Sequence, residues 1–423
     1  MSGQAALERR LGSFDAVVIG LGSMIGAGVF AAFAPAAAAA GSGLLVGLVL
    51  AAFVAYCNAI ASAQLAAQYP TSGGTYVYGR ERLGHWWGFV AGWGFVVGKT
   101  ASCAAMALTF AVYAVPGPGW RERLVAVAVV VLLTAVNLRG ITRTAGLARI
   151  LVAGSLVALA VVVATVLVSG RAEASRLSEG GVPDGAYGIL QAAGLLFFAF
   201  AGYARIATLG EEVRDPQRTI PRAISIALAV TVAVYAAVGL AALAALGPVS
   251  LAATATPLAA AVEAVGAAWA EPVVRVGAAI ASAGALLALV AGVGRTALAM
   301  AREGDLPRTL AAIDRRHSVP RHAELAVCAA VVVLVLLTDL RGAIGFSSFG
   351  VLTYYAIANA SAFTQAPLAR RTPRALNAIG LVGCLGLMVT LPLESVLVGA
   401  AVLAVGLTGR FVVLRRRDAR AAR

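Results

Sequence analysis

Histidine, cysteine and acidic side chains are scarce in this sequence, and each shortage excludes a class of function. The three histidines, His85, His317 and His322, all fall at the edges of apolar runs. Neither His-Glu-x-x-His nor Gly-x-Ser-x-Gly occurs, so no zinc hydrolase site and no elbow-mounted serine nucleophile can be assembled. The four cysteines, Cys57, Cys103, Cys328 and Cys384, lie inside apolar segments without metal-ligand spacing, which predicts free thiols, no metal and no cofactor. Charged residues make up only 12% of the 423, and lysine occurs once, at Lys99. A net charge of +14 would suit a nucleic-acid binder, but the arginines form short clusters between apolar runs, a membrane-topology pattern. No enzyme and no nucleic-acid partner is expected.

What abounds is apolar sequence, with 61% hydrophobic residues and a mean hydropathy of +0.89. A soluble domain has no use for so much, so the chain reads as an all-α polytopic membrane protein partnered by the lipid bilayer. Runs able to cross about 30 Å of hydrocarbon fall near 14–40, 42–67, 86–115, 120–137, 145–169, 186–210, 219–246, 272–300, 322–339, 344–366, 374–391 and 394–414, twelve helices in all. Glu8, Arg9 and Arg10 precede the first run as in a signal peptide, but that run is too long for one and should stay uncleaved. With the N-terminus inside, 24 Lys/Arg fall on the cytoplasmic side and six outside (Arg121, Arg123, Arg171, Arg176, Arg275 and Arg341). That bias predicts both termini in the cytoplasm and a place in the cytoplasmic membrane. Loops are short: 170–186 is polar, 248–271 should carry a surface helix near 257–268, and Pro70-Thr71-Ser72-Gly73-Gly74-Thr75-Tyr76 reads as a structured turn.

Glycine interrupts the first run, at Gly20-Leu21-Gly22-Ser23-Met24-Ile25-Gly26-Ala27-Gly28. Each glycine weakens a helix by about 1 kcal/mol relative to alanine. Unpaired backbone groups survive in a membrane only against protein or a ligand, so a break here predicts a substrate site. Close helix packing through small residues accounts for the same spacing. The Gly-x-Gly-x-x-x-Gly spacing is not a dinucleotide fingerprint. The sixth run has its own small-residue interruption, Phe200-Ala201-Gly202-Tyr203-Ala204-Arg205. Interruptions five helices apart are expected of two inverted repeats, helices 1–5 (14–169) and 6–10 (186–366). A tail (1–13), an external loop (170–185), two appended helices (367–414) and a basic tail (415–423) complete the organisation.

At this point the chain resembles a family. Residues 20–30, the stretch Gly210-Glu211-Glu212-Val213-Arg214-Asp215-Pro216-Gln217, and Arg295-Thr296-Ala297-Leu298-Ala299-Met300-Ala301-Arg302-Glu303-Gly304-Asp305-Leu306-Pro307 are similar to helix-one, helix-six and helix-eight motifs of the amino acid–polyamine–organocation transporters. The resemblance implies the five-plus-five inverted-repeat fold, alternating access, and amino acids or related amines as substrates. It places the substrate at Ser23, Met24, Ile25, Gly26, Ala27 and Gly28, whose free N–H groups would meet a carboxylate. The carbonyls of Phe200, Ala201 and Gly202 would accept from an ammonium group, with Phe200 and Tyr203 as covers.

Three basic residues lie within spans, Lys99, Arg205 and Arg295, and no Asp or Glu lies deep in one. A cationic substrate would want a buried carboxylate, so neutral amino acids are expected. Arg205 and Arg295 either snorkel or pair with Asp15 or Glu211 in an inner gate. Many relatives hold a lysine in helix five facing the first break; here Ser155 takes that place, and helix eight lacks hydroxyls from 283 to 294 for a sodium ion. Proton coupling or exchange is therefore expected over sodium. Lys99, 13 residues after Trp86 and near mid-membrane, is the candidate stand-in, its charge held by carbonyls freed at 20–26. A capping lysine that never titrates is the structural alternative. The reading is a secondary amino acid transporter. Alternatives are a polyamine, ethanolamine or cationic amino acid permease and a non-transporting sensor; a major-facilitator protein is disfavoured because Gly79-Arg80-Glu81-Arg82-Leu83-Gly84 lacks that fold's aspartate.

Overall fold

A computed structural model of the protein describes residues 12–69, 73–115, 117, 119–140, 145–203, 206, 213–314, 316–317, 319–367, 370 and 372–421. Every regular element among them is helical. The first apolar run folds in pieces, α1 (Ser13–Met24), α2 (Ala27–Ala31) and α3 (Phe33–Ala40), and continues into α4 (Leu44–Gln68). Then come α5 (Thr75–Leu83), α6 (His85–Ala114), α7 (Gly119–Leu138), α8 (Ala145–Val168) and α9 (Gly185–Phe200), which ends in a 3₁₀ turn, Ala201–Tyr203. The rest is α10 (Pro216–Ala253), α11 (Pro257–Ala264), α12 (Glu271–Arg302), α13 (Arg321–Leu337), α14 (Leu340–Phe363), α15 (Arg374–Val389) and α16 (Leu393–Ala421).

Among the described residues, eight stretches are long and apolar enough to cross a membrane: Ser13–Ala31, Phe33–Gln68, His85–Ala114, Arg149–Val168, Gly185–Tyr203, Pro216–Ala253, Ala268–Arg302 and Leu393–Arg415. Helices also occupy the other expected spans, but they are more polar or shorter. α7 opens on Arg121, Glu122 and Arg123, α14 carries Ser347, Ser348, Tyr354, Tyr355 and Asn359, and α15 has only 16 residues.

Polarity in α14 is spent on packing. α14 lies along α6 so closely that a Cβ on Gly98 would sit 3.0 Å from the Gly350 backbone, and Ser102 and Ser347 share a hydrogen bond of 2.6 Å beside that contact. Small residues bring helix backbones together where apolar lipid gives no drive to do so. α16 is the opposite case: only 11% of its apolar window is buried, which puts it at the rim.

The stretch after α4 does turn in its described part: Gly73 and Gly74 (φ +126° and +56°) reverse the chain into α5, and the Thr75 amide donates to the Tyr354 hydroxyl at 3.0 Å; Pro70, Thr71 and Ser72 lie outside the described residues. Two expectations change. The helix α11, expected at the surface, is packed inward, since Leu258, Ala259, Ala261 and Val262 are buried. Acidic groups are also buried where none was expected. Glu324, in the first turn of α13, is 2% exposed against Gly294. Asp305 is enclosed by the Tyr76 hydroxyl (2.8 Å), Arg80 (3.5 Å) and Arg410. Short offsets from a helix end hid both, because depth in a membrane does not equal burial in protein.

Candidate functional site

The break in the first span falls at Ile25 and Gly26. Ile25 (φ −79°, ψ 68°) and Gly26 (φ −116°, ψ −143°) leave the helical region, and the Gly26 amide turns back to the Met24 carbonyl at 2.8 Å. The other glycines of the motif do a different job. A Cβ on Gly20 would lie 2.3 Å from Ile206, one on Gly22 2.7 Å from Val152, and one on Gly28 2.5 Å from the Ala199 Cα. The break and the close packing are therefore both present, at different positions: Gly26 breaks the helix, while Gly20, Gly22 and Gly28 admit neighbouring helices.

The second interruption meets the first directly. α9 ends at Phe200, and after Ala201-Gly202-Tyr203 a Cβ on Gly202 would sit 2.0 Å from the Ser23 oxygen and 2.6 Å from the Met24 nitrogen. Residues 23–28 and 200–203 thus come together, backbone on backbone. Tyr235 of α10 locks the pair: its hydroxyl lies 2.6 Å from the Met24 carbonyl and 3.0 Å from that of Ala199. Phe200 is buried with its ring 5.0 Å from that of Tyr235, and Tyr203 stacks on Tyr355 at 5.0 Å. Tyr235 and Tyr355 were missed from sequence. Nothing distinguishes a bridging tyrosine from any other in an apolar helix until its partner is known.

Lys99 is buried and reaches this junction. Its Nζ donates to the Ala201 carbonyl at 3.0 Å, where the Tyr355 hydroxyl also arrives at 3.4 Å. The carbonyl belongs to the second break, not to the stretch 20–26 expected to hold it. The reason is geometric: α6 packs on α2, and from it the Lys99 side chain reaches the Ala201 carbonyl of the 3₁₀ turn. Ser155 does face the first break. It shares a cavity of about 10 Å³ with Gly22, Ile25 and Ala281, while its hydroxyl bonds the Leu151 carbonyl of its own helix at 2.8 Å.

The gate residues are arranged otherwise than expected. Asp15 pairs with Arg149 of α8 rather than with Arg295. Arg295 is exposed, and its electrostatic neighbour is Glu324. Arg205, Glu211 and Glu212 lie outside the described residues. Away from the junction, a groove of about 230 Å³ opens between α4 and α10, lined by Tyr56, Gln64, Pro221, Leu228 and Thr372.

Comparison with known proteins agrees with this architecture. The profile of the amino acid permease family matches residues 11–409. An uncharacterized transporter of Mycobacterium tuberculosis is 62% identical over 97% of this chain and 93% of its own length. The branched-chain amino acid permease BcaP of Bacillus subtilis is 26% identical over 75% of this chain and 72% of its own. Human cationic amino acid transporter 4 is 27% identical over 83% of this chain and 59% of its own. With a profile matched across nearly all of its helices, this multi-pass membrane protein belongs to the amino acid permease family.

Proposed function

We propose that the protein is a secondary transporter that carries a neutral amino acid by alternating access, with the substrate held at the junction of the two breaks. The observation that carries this reading is the Gly202–Ser23 contact, which brings the 3₁₀ turn that ends α9 against the last turn of α1, just before its break. There the Ala27 and Gly28 amides would take the substrate carboxylate, while the Gly26 amide is held by the Met24 carbonyl, and the carbonyls near Ala201 would take its ammonium group. Lys99 sits on the Ala201 carbonyl. A substrate ammonium would compete for that carbonyl and displace the lysine, which links binding to the lysine's protonation. Proton coupling or exchange follows, rather than sodium coupling, since Ser155 is the hydroxyl at the small cavity and Ala281 the helix-eight residue.

Neutral substrates fit the placement of acids. The buried carboxylates Asp305 and Glu324 lie against Arg80, Arg410 and Gly294, not beside the breaks. The branched-chain permease among the relatives supports this choice. A cationic amino acid is the second reading, favoured by the cationic transporter relatives. The reading includes twelve spans, inverted repeats at 14–169 and 186–366, and both termini in the cytoplasm of a cell whose cytoplasmic membrane holds the protein.

A thermal-shift screen of the twenty amino acids and common amines should give stabilisation by one class, since a ligand stabilises by RT ln(1 + [L]/Kd). Uptake of that class into sealed vesicles then separates a carrier from a sensor. A reporter inserted near Glu179 should read external; a cytoplasmic signal there would overturn the repeat assignment.

A further inference from the structure

Between α4, α14 and α15 runs a chain of buried polar side chains that the transport reading does not use. It begins at the junction, where Tyr203 lies beside Tyr355 and Asn58. The Asn58 Oδ1 accepts from the Asn359 amide at 2.6 Å and lies 3.2 Å from the Cys384 sulfur. Asn359 faces Gly380, where a Cβ would sit 2.4 Å from its Oδ1. One turn before Gly380, Asn377 accepts from Gln64 at 3.4 Å, and Gln64 accepts from Thr372 at 3.1 Å. Gln64 and Thr372 form the polar part of the groove of about 230 Å³ between α4 and α10. Asn58 is ten residues from Gln68 at the end of α4. At about 1.5 Å per residue, the six residues from Asn58 to Gln64 give the chain about 9 Å along α4, and Gln68 lies a further turn on.

Along it, hydrogen-bonding capacity goes unused. The Asn359 Oδ1, the Asn377 Nδ2 and the hydroxyls of Ser62 and Ser361 are buried with no partner among the described residues. Asn359 offers an acceptor, and Asn377, one turn along from Gly380, offers a donor. Side chains of these types ordinarily find partners when buried, ordered water included. Contacts that merely glue helices together would pair such groups with each other.

We propose that this chain holds a file of water that carries protons between the groove and Lys99. The proposal rests on the reading of Lys99 as the coupling residue. A proton entering at Gln64 and Thr372 passes from water to water by Asn377, Asn359 and Asn58, and is taken by the neutral Lys99 amine; release reverses the order. The titratable groups around Lys99 are Cys103 on its own helix, Tyr355 of α14 on the shared carbonyl, and Tyr203 stacked on Tyr355. Among the described residues, the other helices packed on α6 bring it no charge.

Cys384, fully buried beside Asn58, is a built-in reporter. In pulsed X-ray hydroxyl-radical footprinting of the intact protein in nanodiscs, radicals made from bound water should oxidise Cys384 on the millisecond scale. Asn377→Leu should cut that rate at least fivefold and leave Tyr113, buried against Phe30 and Leu258, unchanged. Gln64→Leu, at the mouth, serves as the second variant where the first is poorly folded. In sealed vesicles the same variants should keep substrate Kd within twofold and lose at least tenfold in substrate-driven proton flux. A Cys384 no more oxidised in wild type than in Asn377→Leu overturns the water file, as does wild-type proton flux in both variants. Oxidised Cys384 without any substrate-driven proton flux in wild type instead sinks the coupling role of Lys99, and with it the use of the file for protons.

Discussion

The contact between the two breaks makes a prediction with a size. A methyl group at Gly202 would lie 2.0 Å from the Ser23 oxygen, whereas ordinary Cβ contacts begin at 3.4 Å. The junction must open by the difference, 3.4 − 2.0 = 1.4 Å. Both atoms opposite are backbone and cannot rotate aside. Overpacking of this kind costs about 1–3 kcal/mol. If the closed junction is the substrate-holding geometry, that becomes about a 5- to 150-fold loss of affinity, at 1.4 kcal/mol per factor of ten. Gly26→Ala is the internal control. Its methyl meets only the Ala285 side chain, at 3.0 Å, so the neighbour yields by a few tenths of an ångström and less than about tenfold is expected. Leucine at either position should abolish binding. The assay is calorimetric or scintillation-proximity binding on monodisperse protein, with thermal unfolding to show that each variant is folded. Wild-type affinity in folded Gly202→Ala, or a larger loss in Gly26→Ala than in Gly202→Ala, would refute the reasoning.

Three further outcomes follow from other contacts. Lys99→Met removes the charge but keeps the length, so uptake should lose its dependence on pH while the protein still folds; unchanged pH dependence ends the coupling role. Tyr235→Phe removes the hydroxyl between the Met24 and Ala199 carbonyls; Met24 keeps the Gly26 amide, so the loss is that of one hydrogen bond, about 0.5–1.5 kcal/mol, read as a lower melting temperature with weaker substrate binding. Asp305→Asn strands Arg410, whose side chain is 7% exposed, which should destabilise by about 3–5 kcal/mol; adding Arg410→Met should restore more than half of that loss in denaturation, and no recovery would count against the ion pair.

Helices and membrane spanning were legible because they depend on composition and run length, which the chain states outright. The breaks were legible too, since glycine acts on its own backbone: Gly26 ends α1 wherever the rest of the chain goes. What could not be read was partnership. The motif at 20–28 allowed either a broken helix or close packing, and only Ile206, Val152 and Ala199 coming opposite Gly20, Gly22 and Gly28 divide the roles among them. Lys99 was legible as a buried cation because its tail is too short to leave mid-membrane. Its carbonyl was not, because a helix that ends in a 3₁₀ turn looks in sequence like one that continues.

The same distinction applies to Asp15, which the sequence offered as one alternative partner of Arg205 or Arg295 in a closed inner gate. A carboxylate in the first turn of a span has several arginines within reach along the sequence, and Arg295 looked as available as any. The three-dimensional neighbour is Arg149, set by α8 lying along α1. Arg295 faces Glu324 instead, an acid whose place in the first turn of α13 suggests exposure but which Gly294 draws inward: a Cβ there would stand 2.8 Å from the Glu324 side chain. Asp15 and Arg149 join α1 to α8, and Arg295 and its electrostatic neighbour Glu324 sit on α12 and α13, so motion of either helix pair would alter these interactions. An alternating-access cycle needs contacts of that kind, since only interactions that differ between two states can bias the equilibrium between them. Asp15–Arg149 and Arg295–Glu324 are therefore more informative about motion than the tightly enclosed Asp305 cluster, which every substitution should weaken without shifting one state over the other.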